Sequence, residues 1–292
     1  MCDDDICQVP KAELAPARGA LSRREFALSA AAAAALAATH ARAAETVDER
    51  DVDIKTGDGV CDAALFHPKG AGAWPGVLIW TDNRGLRPVF RDIGRRLAAE
   101  GYTVLVPNPF YRKRRAPIQG QNFDFQNPKD AAQITALSST LTPDGTERDA
   151  VAFLAFIDGQ KQTDRKKKAG VQGYCMGGPL TFRTAAVMSS RIGAAMTCHG
   201  ANLVNNTPNS PHLLIPKMKA EFHCAVAHND DARQPDAKDK LKAGFEAAKL
   251  VSSVQVYPAN HGWCVKDNPV YDEASAERAW AELSALYKRR LA

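Results

Sequence analysis

Ala169-Gly170-Val171-Gln172-Gly173-Tyr174-Cys175-Met176-Gly177-Gly178-Pro179-Leu180 is the stretch on which the fold of this chain turns. Its first four residues are short, partly apolar and able to end a strand, and Gly173-Tyr174-Cys175-Met176-Gly177 then reads as G-x-C-x-G. Proline is tolerated in the first turn of a helix, so Gly178 and Pro179 can open one that runs on through Val187. A strand turning sharply into a helix lifts the central side chain out of the sheet, and small residues on both sides let the backbone pass closely. Such a turn is a nucleophile elbow, here with a thiol in place of the usual hydroxyl. The helix N-terminus behind the sulfur favours the thiolate, which is the form that attacks. A buried cysteine in a glycine-rich turn would give the same pentapeptide, so its place in the chain has to decide.

Upstream, Asp51-Val52-Asp53-Ile54-Lys55 alternates polar and apolar residues, Gly57-Asp58-Gly59 marks a turn, and 60–67 reads as the returning strand of a hairpin. Gly76-Val77-Leu78-Ile79-Trp80 and Thr103-Val104-Leu105-Val106 are apolar runs of the kind that strands buried on both faces require. Between them, 89–100 sets Phe90, Ile93, Leu97 and Ala98 on one side of a helix and Arg91, Arg95 and Arg96 on the other. The alternation continues with a helix over 147–158, a strand over 168–174, a helix over 178–190 and a strand over 192–198. A strand over 221–227, a helix over 236–250, a strand over 253–257 and a helix over 272–289 complete it. Strands alternating with helices imply an α/β protein with a mostly parallel, doubly wound sheet and helices on both faces. The chain shows no repeat and no flexible linker, so a single domain over 44–292 is expected. The irregular stretch over 112–146 is long for a simple connection and is expected to cap the site.

The chain has 292 residues, 45% of them hydrophobic and 24% charged, which is ordinary for a soluble globular protein. The net charge of +5 is a mild excess, and Arg112-Lys113-Arg114-Arg115 and Arg165-Lys166-Lys167-Lys168 are short clusters expected to be solvated surface. No nucleic-acid partner follows from them. Ser22-Arg23-Arg24-Glu25-Phe26 carries the paired arginines of a twin-arginine signal, followed by an alanine-dominated stretch over 27–39 and a small-x-small site at Ala41-Arg42-Ala43. That stretch is too short and too weakly apolar for a stable membrane span. Residues 1–43 are therefore expected to be a cleaved signal, the twin-arginine export machinery a partner in transit, and the mature protein periplasmic. Removing them leaves Cys61, Cys175, Cys198, Cys224 and Cys264, an odd count that leaves at least one thiol unpaired. His199, His212, His223 and His228 lack metal-ligand spacing, and no phosphate-cradling glycine loop occurs, so neither metal nor cofactor is expected.

In an open parallel sheet the active site lies at the carboxyl ends of the strands. The strand over 221–227 runs into His228-Asn229-Asp230-Asp231, and Val254-Gln255-Val256-Tyr257 runs into Pro258-Ala259-Asn260-His261-Gly262. The order Cys175, Asp230, His261 gives a nucleophile, an acid and a histidine, in which His261 would move the thiol's proton and the acid would fix its tautomer. Asp231 remains open as the alternative acid.

From about Asp51 onward the chain resembles the dienelactone hydrolase family of α/β-hydrolases. The resemblance rests on Gly173-Tyr174-Cys175-Met176-Gly177-Gly178, Ala227-His228-Asn229-Asp230 and His261-Gly262-Trp263, together with 96–102 and Val106-Pro107-Asn108-Pro109-Phe110-Tyr111. It implies an α/β-hydrolase fold, a small-molecule ester or lactone as substrate, and hydrolysis through an acyl-enzyme on Cys175. It also implies an oxyanion hole at the backbone N–H groups of Met176 and Asn83, and a thiol-gating acid at Asp82, where the family commonly has glutamate. The family's substrate-carboxylate arginines have no clean counterpart, and Arg84, Arg87 and Arg112 are expected on the surface. A non-catalytic binding or redox-thiol protein on the same fold is the alternative, which a disulfide from Cys175 to Cys198 or Cys264 would favour.

Overall fold

Eight strands form one sheet in the computed structural model, which describes residues 46–119 and 126–292. The expected signal over 1–43 lies outside the described residues. The strands are β1 (Val47–Thr56), β2 (Gly59–Pro68), β3 (Gly76–Trp80), β4 (Thr103–Pro107), β5 (Ala169–Tyr174), β6 (Ile192–Cys198), β7 (Glu221–Ala227) and β8 (Ser252–Tyr257). Their spatial order is β1-β2-β4-β3-β5-β6-β7-β8. The first hairpin and the β2–β4 pair are antiparallel, and every later pair is parallel. Strand order reverses about β3 and β5, and a doubly wound sheet gathers its site at such a reversal. The α/β-hydrolase fold is therefore present.

Helices cover both faces, as continuous apolar strands demand: β3, β4 and β5 are buried along their whole length. On one face lie α1 (Pro88–Ala99), through Val89, Phe90 and Leu97, and the C-terminal helix Glu273–Leu291, through Leu283, Leu286 and Tyr287. Against the other pack α3 (Pro143–Asp158), α4 (Gly177–Val187) and α6 (Ala237–Ala247). Two further α-helices are α2 (Pro128–Ser138) and the short α5 (His228–Arg233), the last helix then being α7. No helix among the described residues is long and apolar enough to cross a membrane.

Several boundaries differ from the sequence reading. The helix expected from 147 begins at Pro143, because the Thr142 hydroxyl accepts the Gly145 N–H as an N-cap and proline fills the first turn. The stretch over 112–146 is less irregular than expected and holds α2, capped by Asn127 in the same way. Ser138, at the end of α2, reaches the sulfur of Met176 at 3.9 Å, so this segment does lie over the elbow. Arg112 and Arg87 are not surface residues. Arg112 is largely buried between Asp58 at 2.6 Å and Asp149 at 2.8 Å, and Arg87 is 8% exposed.

Candidate active site

The elbow is built from glycines that nothing larger could replace. A Cβ at Gly173 would stand 2.1 Å from the Gly177 carbonyl oxygen, and one at Gly177 would stand 2.6 Å from that of Trp80. Cys175 between them takes a left-handed backbone, φ 51°, a conformation that costs a non-glycine residue and that clusters at functional sites. Neighbouring backbone holds it there. The Cys175 N–H donates to the Cys198 carbonyl at 3.1 Å, and its own carbonyl accepts from Gly178 and Ala201. Cys175 thus stands at the end of β5 ahead of α4, at the carboxyl end of the sheet.

Two other strand ends bring the remaining groups. His228 N–H donates to the Ala259 carbonyl at 2.9 Å and the Asn229 side chain accepts from the His261 N–H at 2.7 Å, so the loops after β7 and β8 are fastened together. Through that join His261 Nδ1–H donates to Asp230 Oδ2 at 2.6 Å. Asp231 faces elsewhere, with the Lys238 ammonium at 2.7 Å. Of the two acids left open by sequence, geometry therefore sets Asp230 against the imidazole. Nε2 of His261 is buried and has no hydrogen-bond partner, which leaves it available to a reacting proton.

Asp82 and Asn83 follow β3 directly and are both buried. Asp82 is held by a guanidinium fork and a backbone donor. The Arg87 fork grips both of its oxygens, Nη1 to Oδ1 at 2.6 Å and Nη2 to Oδ2 at 2.8 Å, and the Arg84 N–H adds a third bond to Oδ1 at 2.9 Å. Arg87 also binds Asp267, six residues beyond His261, through Nε at 2.7 Å and Nη2 at 2.9 Å. Burial opposes the charge on Arg87, but its two carboxylates outweigh that and raise its pKa. Through Arg87, the carboxylate of Asp82 ties the loop of Asn83 to the loop of His261.

His199 is the residue that sequence reading passed over. It follows β6 with φ 40°, is 1% exposed, and neither ring nitrogen has a hydrogen-bond partner. Its ring lies 4.8 Å from that of His261 and 5.9 Å from Trp263. Burial, reinforced by the charge His261 can carry, pushes His199 well below the ordinary imidazole range. It is therefore a neutral ring beside His261. Its place at a strand end was the available signal, but the contact with His261 spans distant parts of the chain.

None of the five cysteines among the described residues is in a disulfide. The Cys175 disulfide that would have favoured a redox protein does not occur. Cys264 is instead hydrogen-bonded to Cys198, and burial pushes its thiol well above the usual range. Among the described residues no group of histidine, cysteine and carboxylate side chains could hold a metal ion.

A sequence pattern describing the dienelactone hydrolase family matches residues 61–291. The chain belongs to the dienelactone hydrolase family. A carboxymethylenebutenolidase from Pseudomonas sp. (strain P51) is 25% identical over 238 residues, covering 82% of this chain and 93% of that protein. Among solved structures, a provisionally named dienelactone hydrolase of Klebsiella pneumoniae superposes with a TM-score of 0.72 at 21% identity, covering 83% of this chain and 99% of that one. A dienelactone hydrolase-like promiscuous phosphotriesterase from metagenomic libraries gives a TM-score of 0.69 at 20% identity, with 85% and 100% covered. At such identities the structural likenesses speak for the fold. Membership makes the chain an enzyme of the class that hydrolyses carboxylic esters and lactones.

Proposed function

We propose that this dienelactone hydrolase family member cleaves an ester or lactone through Cys175, His261 and Asp230, and that it does so in the periplasm. The observation that carries the catalytic reading is the 2.6 Å bond from His261 Nδ1–H to Asp230, which leaves a buried and unpartnered Nε2 on the imidazole. With Nδ1 holding its hydrogen for Asp230, Nε2 is the basic nitrogen.

Cys175 Sγ attacks the carbonyl carbon as His261 Nε2 takes the thiol proton. The oxyanion that forms is stabilised by the backbone N–H groups of Met176, at the start of α4, and Asn83, on the anchored loop after β3. His261 then returns the proton to the leaving oxygen, and the acyl group stays on sulfur as a thioester. Water enters, gives its proton to Nε2 and attacks the thioester, which frees the acid and restores the thiol. Thiolates expel activated and enolic oxygen leaving groups readily, so an unsaturated lactone is a fitting first substrate alongside aryl esters. Losing one oxyanion donor costs on the order of 10²–10³ in rate.

Wild-type protein is expected to turn over 4-nitrophenyl acetate, and Cys175→Ala to be inactive while keeping its fold. Full activity in Cys175→Ala would overturn the mechanism. The twin-arginine route rests on Arg23-Arg24 ahead of the alanine-dominated stretch over 27–39. Replacing both with lysine should strand the protein in the cytoplasm, and unchanged periplasmic recovery would refute the twin-arginine route.

A further inference from the structure

We infer, on the hydrolase reading above, that the site selects uncharged esters and lactones with an apolar acyl group and discriminates against an acyl group that bears a carboxylate. The loops that follow β3, β7 and β8 and frame Cys175 carry three arginines, and each already meets a carboxylate. Arg87 is divided between Asp82 and Asp267, and Arg84 lies 3.4 Å from Asp267 with its Nε donating to Gln119 at 2.9 Å. Arg233 is paired with Asp230 at 3.1 Å. Among the described residues, the three arginines of these loops are thus matched by three carboxylates. Lys238 is likewise held by Asp231, and Lys266, the one lysine of these loops, is exposed, with its charge acting on Glu277 of α7, a carboxylate that Arg96 already pairs. The basic turn after β4 is tied to the hairpin side, by Arg112 to Asp58 and by Arg115 to Asp53.

The surroundings of the nucleophile agree. Cys175 and Met176 belong to a buried apolar cluster that includes Ile118, Ile134, Leu137, Leu203 and Val204. A substrate carboxylate brought among these groups would be desolvated without a partner, unless it took an arginine from an existing carboxylate and left that one unpaired. Either way the anionic substrate is penalised relative to a neutral one of the same length.

The test compares kcat/KM for 4-nitrophenyl hexanoate with that for mono(4-nitrophenyl) adipate, which has the same six-carbon acyl chain ending in a carboxylate. Wild type should favour the hexanoate by about tenfold or more, the order expected when a charge is left unpaired at a partly buried site. Asp267→Asn keeps the shape of the side chain and releases Arg84 and half of the Arg87 fork, so it should raise the adipate-to-hexanoate ratio at least about threefold. A wild-type ratio near one, a preference for the adipate, or a ratio that Asp267→Asn leaves unmoved would overturn the inference. If Asp267→Asn fails to fold, the wild-type ratio decides alone. Turnover of neither ester by folded protein with a titratable Cys175 is a different result, because it removes the hydrolase reading and this inference with it.

Discussion

His261 and Asp230 are joined by a 2.6 Å hydrogen bond between loops that leave adjacent strands, while Asp231, the next residue in the chain, is held 2.7 Å from Lys238. The two carboxylates are neighbours in sequence and opposite in consequence. Asp230 lies in the first turn of the short helix His228–Arg233, where the chain has just been fastened to the His261 loop by Asn229.

Asp230→Asn should therefore lower kcat by about 10³–10⁴-fold, because an amide in that place favours the wrong imidazole tautomer. Asp231→Asn should change kcat by less than about threefold, since its carboxylate is paired with Lys238 and not with the imidazole. Steady-state kinetics on one aryl ester checks both. Comparable losses in the two variants would contradict the assignment.

Arg87 makes a separable prediction about stability. Removing its guanidinium leaves Asp82 buried without its ion-pair partner and cuts the tie to Asp267. Arg87→Met should cost about 3–5 kcal/mol, the range found when one half of a buried ion pair is deleted. Arg87→Lys keeps the charge but not the fork, and should fall between Arg87→Met and wild type. Urea denaturation of the three proteins gives the order, and a stable Arg87→Met would show that the clamp contributes little.

His199 predicts a pH dependence. Its folded-state pKa is depressed by burial, so the unfolded chain binds a proton at a higher pH than the native one does. The stability this gives is fully present above about pH 6.5, the ordinary histidine value, and is lost as pH falls below it toward the folded value. His199→Phe removes the titration, and the fall in melting temperature between pH 6.5 and 5 should be shallower than in wild type. His223, whose pKa burial also lowers, continues to contribute in both proteins. Identical slopes would mean that His199 is not held neutral by the fold.

Much of the fold was legible because its signals are local. The glycines of the elbow have to be glycines, since a Cβ at Gly173 or Gly177 would collide with backbone oxygen, and that demand is written in five consecutive residues. The apolar runs of β3 and β4 and the amphipathic α1 carry their periodicity in the same way. The start of α3 was legible in principle, as Thr142-Pro143-Asp144 is a capping residue followed by a first-turn proline and an acid. The Asp82–Arg87–Asp267 clamp was not legible. Arg87 and Asp267 lie 180 residues apart, and no short-range rule pairs them. His199 was invisible for the same reason, because its chemistry comes from a ring contact across the sheet end rather than from its neighbours in the chain.

The decisive measurement is to locate the acyl group. Brief reaction of the purified protein with excess 4-nitrophenyl hexanoate, acid quenching and peptide mass spectrometry should find the hexanoyl group as a thioester on the peptide containing Cys175. Its occupancy should rise when Asp230→Asn slows hydrolysis of the intermediate more than its formation. Acyl label on a serine or lysine with Cys175 unmodified during active turnover would contradict the mechanism.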